Sequence, residues 1–167
     1  MRDFQFPGRS PVFATNGMCA TSHPLAAKVA VQILEQGGNA ADAAIAAAVL
    51  LGFCEPQMTG LGGDAFVLVK PAGGDQVLTL NGSGRAPAAV SADGLRGRGL
   101  RAMPEWGIDT VTMPGAVDAF CRLSQDHGRI GLAATLAPAI HYAEHGVPVA
   151  PRTAFDWQMR TRKLTGA

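Results

Sequence analysis

The sequence has 167 residues, which suits one ordinary domain and is short for two. Apolar residues make up 47% of it and charged residues 16%, a composition that excludes a disordered chain and a coiled coil. The formal net charge of +1 provides no basic field for a phosphate backbone, so we expect no nucleic-acid partner.

The cysteines and the apolar runs bear on where the protein resides. Three cysteines without any C-x-x-C spacing predict free thiols and argue against a disulfide framework or a thiolate zinc site. No apolar run follows the N-terminal arginines, and the most apolar stretch, residues 43–54, is too short to span a bilayer. We therefore expect no membrane partner and a cytoplasmic location, or a periplasmic one if the natural start lies upstream.

The start of the sequence predicts a short lead into a first helix. Residues 1–11, with prolines and glycine, are expected to form a flexible leader, and residues 12–20 are interpreted as two small strands or an extended segment. From Pro24 onward, apolar residues recur at helical spacing. The glycine pair at residues 37–38 then supplies a left-handed stop.

The next segment predicts a buried helix. Asn39 is a good N-cap, and Asp42 lies in the first turn, where the helix dipole favours an anion. Residues 40–51 are apolar on every side, and a helix without a polar face must be buried. We therefore expect this helix to be the central element of the fold.

A β-hairpin and further helices are predicted downstream. Residues 65–69 and 77–80 are interpreted as two strands, and NGSGRAP at residues 81–87 as a structured loop, too rich in glycine to continue a strand. A hairpin alone is unstable, so we expect its partner strands to lie elsewhere in a longer polypeptide. The remaining elements are a short helix within a mobile crossing at residues 88–104, and helices near residues 115–127, 132–145 and 152–164.

Two motifs match cofactor and metal signatures by their letters. GLGGDA at residues 60–65 fits a dinucleotide fingerprint, but the order of helix, glycines and strand is the reverse of what that fingerprint needs. HYAEH at residues 141–145 fits the inverted zinc-peptidase motif, which places two imidazoles on one helix face. Histidine is also favoured at a helix C-terminus by the dipole, and we interpret the two histidines in that way.

Candidate nucleophiles have simple structural interpretations. An N-terminal threonine nucleophile uses its own amine as base, whereas Thr21 of the run TSH is internal and leads into a proline-started helix. We therefore favour a capping role for residues 21–23. No partner base is specified for the cysteines, which are Cys19, Cys54 and Cys121.

Arg85 lies in the glycine-rich loop that follows the second predicted strand. Its guanidinium can present a two-pronged donor to a carboxylate, with neighbouring backbone amides free to assist. Spacing alone leaves this role and that of an ordinary surface arginine equally open.

Several runs together closely resemble the opening of the γ-glutamyltranspeptidases. The runs are ATSHPLA at residues 20–26, GGNAADA at 37–43, EPQMTGLGG at 55–63, the stretch 106–116 with TMPGA, and the stretch 143–149. The resemblance covers nearly the whole chain from about residue 12. It implies an α+β fold, the αββα sandwich of N-terminal-nucleophile hydrolases, of which this chain is a helix-rich fragment with one β-hairpin of the sheet.

The resemblance also implies an activity and partners. The family is made as one precursor that cuts itself, and the new N-terminal threonine of the small subunit attacks a γ-glutamyl amide such as glutathione. Residues 1–167 then form the N-terminal portion of the large subunit, with no catalytic residue and no need for a metal or organic cofactor. The expected partners are the remainder of the large subunit and the small subunit with the catalytic threonine, and the fragment alone is expected to be inactive.

The substrate loop departs from the family pattern. Many members carry DGRETAP, in which the arginine grips the glutamyl α-carboxylate; with Ala-Pro as the fixed point, that arginine falls on Ser83, and Arg85 is displaced by two residues. We predict Arg85 and Ser83 as substrate-binding residues of a γ-glutamyltransferase or glutathione hydrolase. The alternatives are a related amidohydrolase or acylase for another small carboxylate-bearing amide, and a non-catalytic remnant or association module.

Overall fold

The computed structural model describes residues 11–105 and 107–164. The elements in chain order are α1 (Pro24–Glu35), α2 (Ala40–Cys54), β1 (Ala65–Val69), β2 (Leu78–Gly82), α3 (Ala92–Gly97), a 3₁₀ turn (Ile108–Thr110), α4 (Ala116–His127), α5 (Leu132–His145) and α6 (Pro151–Leu164). The predicted leader, residues 1–11, lies outside the described residues except for Pro11. Residues 12–20 contain no strand, so the extended segment is the correct alternative there.

The first two helices form a hairpin with the predicted boundaries. α1 begins at Pro24, and the ring Nδ1 of His23 accepts a hydrogen bond from the N–H of Leu25 at 3.2 Å. Beyond the end of α1, Gly37 has a φ of 91°, the left-handed conformation that glycine adopts without a Cβ penalty. The chain can therefore reverse within a few residues and start α2.

α2 is the central element, as its composition predicts. Asn39 Oδ1 accepts hydrogen bonds from the N–H groups of Ala41 and Asp42, while Asp42 Oδ2 accepts one from the N–H of Asn39 at 2.9 Å. This reciprocal pair is a capping box. α2 packs against α1, α4 and α5, and side chains such as Ile45 and Leu50 are fully buried.

The two strands form one antiparallel hairpin, with Ala65 opposite Gly82. Side chains alternate along β1: Val67 packs against the helical core, whereas Phe66 and Leu68 on the other face are 73% and 76% exposed. α4 contacts both strands. Among the described residues, helices therefore cover one face of the hairpin and leave the face with Phe66 and Leu68 open.

The second strand is longer than predicted. β2 continues through Asn81 and Gly82, which the sequence assigned to the loop at residues 81–87. Neighbouring segments of the chain require glycine in the strand, because a Cβ on Gly82 would lie 2.5 Å from the Cβ of Ala119 and 2.7 Å from the carbonyl oxygen of Ala65. The loop itself therefore begins at residue 83.

The later helices agree with the predicted positions. α4 and α6 begin within one residue of the expected starts, α5 has the expected bounds, and α3 is the short helix expected within residues 88–104. Among helices in the described part of the chain, none combines the length and apolar character needed to cross a bilayer.

Candidate substrate-binding site

A loop of residues 83–87 leaves the end of β2, and side chains of the hairpin region hold its first half. The N–H of Ser83 donates to Asn81 Oδ1 at 2.9 Å, which makes a tight turn. The N–H of Gly84 donates at 3.0 Å to Oδ1 of Asp64, the residue before β1. Because both acceptors lie at the same end of the hairpin, the start of the loop is fixed to that end.

The segment before α4 lies against the same loop. The N–H of Met113 donates to the carbonyl oxygen of Arg85 at 3.0 Å. The two backbones leave no room for side chains: a Cβ on Gly84 would overlap the carbonyl oxygen of Met113, and one on Gly115 would overlap that of Gly82. Glycine at residues 84 and 115 is therefore required for this approach.

The glycine run before β1 joins the same assembly. The carbonyl oxygen of Gly63 accepts hydrogen bonds from the N–H groups of Gly115 at 3.1 Å and Ala116 at 3.0 Å, at the start of α4. These bonds satisfy two of the donors that a helix N-terminus leaves free. Three segments thus meet at one end of the hairpin, and they are residues 60–64, 83–87 and 112–116.

Both predicted substrate-binding residues, Arg85 and Ser83, are exposed on this anchored loop. Among the side chains that the structure describes, which end at residue 159, the guanidinium of Arg85 makes no hydrogen bond or ion pair, so its donors are available to a ligand. The backbone of the loop is therefore held in place, while the guanidinium of Arg85 is exposed to solvent. The roles of Arg85 and Ser83 in substrate binding remain predictions.

Asp64 is a positioning residue that the sequence analysis did not identify. In the sequence Asp64 was noted only as part of the run GLGGDA, yet its carboxylate orients the loop by accepting from the N–H of Gly84. The available signal was an aspartate directly after a glycine run, because its short side chain readily accepts from nearby backbone N–H groups.

Of the other sequence motifs, the run at residues 21–23 and the histidine pair lie outside this site. His23 caps α1 as predicted, and the hydroxyl of Ser22 donates to Glu55 Oε2 at 2.6 Å, which joins the starts of two family-like runs. β1 begins at the last residue of the run 60–65, so a strand comes after the glycines, the order that argues against a dinucleotide fingerprint. His141 and His145 are exposed, and no cluster of three His, Cys, Asp or Glu side chains suited to a metal ion occurs in the described residues.

Two of the cysteines have thiols that their surroundings make less acidic. Burial raises the pKa of Cys19, and burial together with the negative charge of Glu55 raises the pKa of Cys54. A raised pKa lowers the thiolate fraction at neutral pH, and the thiolate is the nucleophile. Neither group is therefore an activated thiol.

We expect Cys54, which is 2% exposed, to react with iodoacetamide at about pH 8 at least about tenfold more slowly in the folded complete protein than in urea. Both its burial and its raised pKa act in this direction. Timed alkylation followed by peptide mass spectrometry measures the rate for this cysteine alone. Equal rates in the folded and unfolded protein would contradict the buried position.

Comparisons with known proteins support the resemblance to the γ-glutamyltranspeptidases. The family model described as Gamma-glutamyltranspeptidase matches residues 26–167. The chain is 42% identical over 139 residues to the Glutathione hydrolase-like YwrD proenzyme of Bacillus subtilis, a match that covers 83% of this chain and 26% of that protein. It is 38% identical over 158 residues to the Oxamate amidohydrolase proenzyme of Klebsiella pneumoniae, covering 90% of this chain and 29% of that protein.

A solved structure supports the same likeness in three dimensions. The cephalosporin acylase from Bacillus halodurans superposes with a TM-score of 0.90 at 44% identity, over 98% of this chain and 31% of that one. The chain therefore spans less than a third of the length of each of these three proteins.

Proposed function

Since this chain belongs to the γ-glutamyltranspeptidase family, we propose that the complete protein cleaves γ-glutamyl amides such as glutathione. The glutamyl group passes through an acyl-enzyme on an N-terminal threonine outside this chain, and then to water or to an acceptor amine. The predicted fold class is confirmed: the chain is a helix-rich part of the αββα sandwich and carries one β-hairpin of its sheets.

The observation that supports this function is the open guanidinium of Arg85 on an anchored loop. The α-carboxylate of a γ-glutamyl group is an anion whose two oxygens match the two donors of a guanidinium. With the loop held by Asp64 and Met113, a carboxylate bound to Arg85 has a defined position. A fixed acyl group brings its amide carbon to a constant place for attack, which is a large part of catalysis by orientation.

We propose that this chain is the N-terminal portion of the large subunit of a self-cleaving precursor. The names of the two curated relatives call them proenzymes. The open hairpin face with Phe66 and Leu68 supports this role, because two large apolar side chains about three-quarters exposed suit burial by further strands. The partners are then the remainder of the large subunit and the small subunit with the catalytic threonine.

Arg85→Ala in the complete processed protein is expected to raise the KM for a γ-glutamyl anilide about 10- to 100-fold. The variant removes the charged donors for the α-carboxylate and leaves the backbone anchors of the loop in place. Arg101→Ala is the matched control, since Arg101 is another exposed arginine outside the loop. Steady-state kinetics of both variants test the role, and an unaltered KM for Arg85→Ala would contradict it.

A second candidate function is that of an amidohydrolase or acylase for another small carboxylate-bearing amide. Ser83 in place of the family arginine supports it, and so does the likeness to an oxamate amidohydrolase and a cephalosporin acylase. The ratio of kcat/KM values of the complete protein for a γ-glutamyl anilide and for oxamic and glutaryl amides separates the two candidates. Turnover of none of these by processed protein would favour the non-catalytic alternative.

A further inference from the structure

Two histidines form a pair at the C-terminal end of α5, far along the chain from the substrate loop. His141 and His145 are one helical turn apart and both exposed. Their imidazole rings stack, with centroids 4.3 Å apart and an interplanar angle of 28°. We propose that this pair binds one divalent transition-metal ion, of the kind of Cu²⁺ or Zn²⁺, through both rings, with water completing the coordination.

The spacing of the pair along α5 matches what two-histidine chelation on a helix needs. Histidines four residues apart on one helix face bring two imidazoles to one metal ion. Metal–nitrogen distances of about 2.0–2.1 Å place the two ligating nitrogens roughly 3 Å apart. In the structure the rings stack almost parallel, with centroids 4.3 Å apart, so their in-plane lone pairs converge on one ion only after the exposed side chains rotate out of the stack.

The hydrogen bonding of His145 prepares one of its ring nitrogens as a ligand. Its Nδ1 lies 2.8 Å from the backbone carbonyl oxygen of His141. Because a carbonyl oxygen only accepts, this contact places the proton on Nδ1 and leaves the Nε2 lone pair for a metal ion. A backbone carbonyl is a common partner for the second nitrogen of a metal-bound histidine, where it fixes the tautomer and raises the basicity of the ligand.

The ring of His141 is supported by its neighbour in sequence. The ring of Tyr142 meets it edge-on, with centroids 5.6 Å apart and an interplanar angle of 70°. Tyr142 itself packs against the helical core, so this contact restricts where the ring of His141 can move. This contact therefore orders the ring of His141 in the stacked arrangement, from which it must rotate to bind an ion.

The chemistry of the donor set defines which ions fit. Neutral imidazoles suit Cu²⁺, Zn²⁺ and Ni²⁺, and affinities at such sites are highest for Cu²⁺. The described residues bring no third His, Cys, Asp or Glu side chain to the pair. This site is thus an exposed two-ligand site and lacks the third protein ligand of a zinc-peptidase centre.

The test uses the complete processed protein with Cu²⁺ alone as the probe. Equilibrium dialysis gives the affinity, and electron paramagnetic resonance reports the number of nitrogen ligands. We expect one equivalent bound with a two-nitrogen signal, and at least about tenfold weaker binding in His141→Ala and in His145→Ala, since loss of even an outer-shell partner costs 10- to 100-fold. His127→Ala, at the end of α4, is the matched control and should bind as the wild type does.

Two results would overturn the proposal. One is copper binding in the two single variants that stays within about twofold of the wild type, and the other is a wild-type signal from a single nitrogen. A variant with both His141→Ala and His145→Ala still binds any copper held by residues elsewhere in the complete protein, so subtracting its binding isolates the pair. Because both side chains are exposed, circular dichroism of the variants should match the wild type.

Discussion

Asp42→Ala is expected to lower the free energy of unfolding by about 3 to 5 kcal/mol. The Asp42 side chain is fully buried and accepts hydrogen bonds from the N–H groups of Asn39 and Arg129, each at 2.9 Å. Its Oδ1 also lies 3.3 Å from the hydroxyl of Thr135 in α5. Alanine leaves the two N–H donors without an acceptor and opens a cavity, and each effect costs free energy of the order of 1 kcal/mol or more.

The shift in the midpoint of urea unfolding of the complete protein measures this change. Asp75→Ala is the matched control, because Asp75 is exposed, and it should change stability by less than about 0.5 kcal/mol. Asp42→Asn should fall between the two, since its amide keeps one acceptor and turns a donor toward the N–H groups. A stability of Asp42→Ala within about 1 kcal/mol of wild type would show that these bonds contribute little.

Gly84→Ala is expected to lower kcat/KM for a γ-glutamyl anilide at least about 100-fold in the complete protein. The added Cβ would overlap the carbonyl oxygen of Met113 and lie 2.7 Å from its carbonyl carbon, so the backbone must move. Moving it breaks the bond between the N–H of Met113 and the carbonyl of Arg85, and displaces the guanidinium. A displacement of about 1 Å in a positioning group costs activity on this scale.

Gly97→Ala is the control for this variant, because a Cβ at Gly97 meets no atom within 4 Å. We expect it to keep wild-type kinetics. Thermal unfolding of both variants separates loss of position from loss of structure: Gly84→Ala should remain folded at the assay temperature while its activity falls. Retention of kcat/KM within about threefold in Gly84→Ala would mean that the loop does not position the substrate.

Local features of the fold could be predicted because their signals lie within a few residues. The spacing of apolar residues and Pro24 set the start of α1, and Gly37 set its end. Asn39 was identified as the N-cap of α2 and Asp42 as a favourable anion in its first turn, and the structure joins the two in a capping box that spans only four residues. The central position of α2 followed from its lack of a polar face. The family resemblance was confirmed by the match over residues 26–167.

Long-range contacts could not be predicted, since periodicity reports only which face of an element is buried. Asp42 was assigned to the helix dipole, yet its carboxylate also accepts from Arg129, 87 residues away. Gly82 of β2 pairs with Ala65, and a Cβ there would collide with Ala119, a neighbour that no local pattern names. The hydrogen bond from the N–H of Gly84 to Asp64 likewise joins residues that are distant in the sequence, 20 positions apart. Because the contacts of Gly82 and Gly84 lie at the candidate site, its loop was located from sequence but the contacts that fix the loop were not.

The most direct test of the account compares two substrates in two proteins. One substrate is a γ-glutamyl anilide, and the other is the 4-aminobutyryl anilide, which differs from it only by the lack of the α-carboxylate. The two proteins are the complete processed wild type and its Arg85→Ala variant. If Arg85 binds the carboxylate, the substitution lowers kcat/KM about 10- to 100-fold for the γ-glutamyl substrate and leaves the other nearly unchanged. An equal fall for both substrates, or no fall for either, would contradict the account.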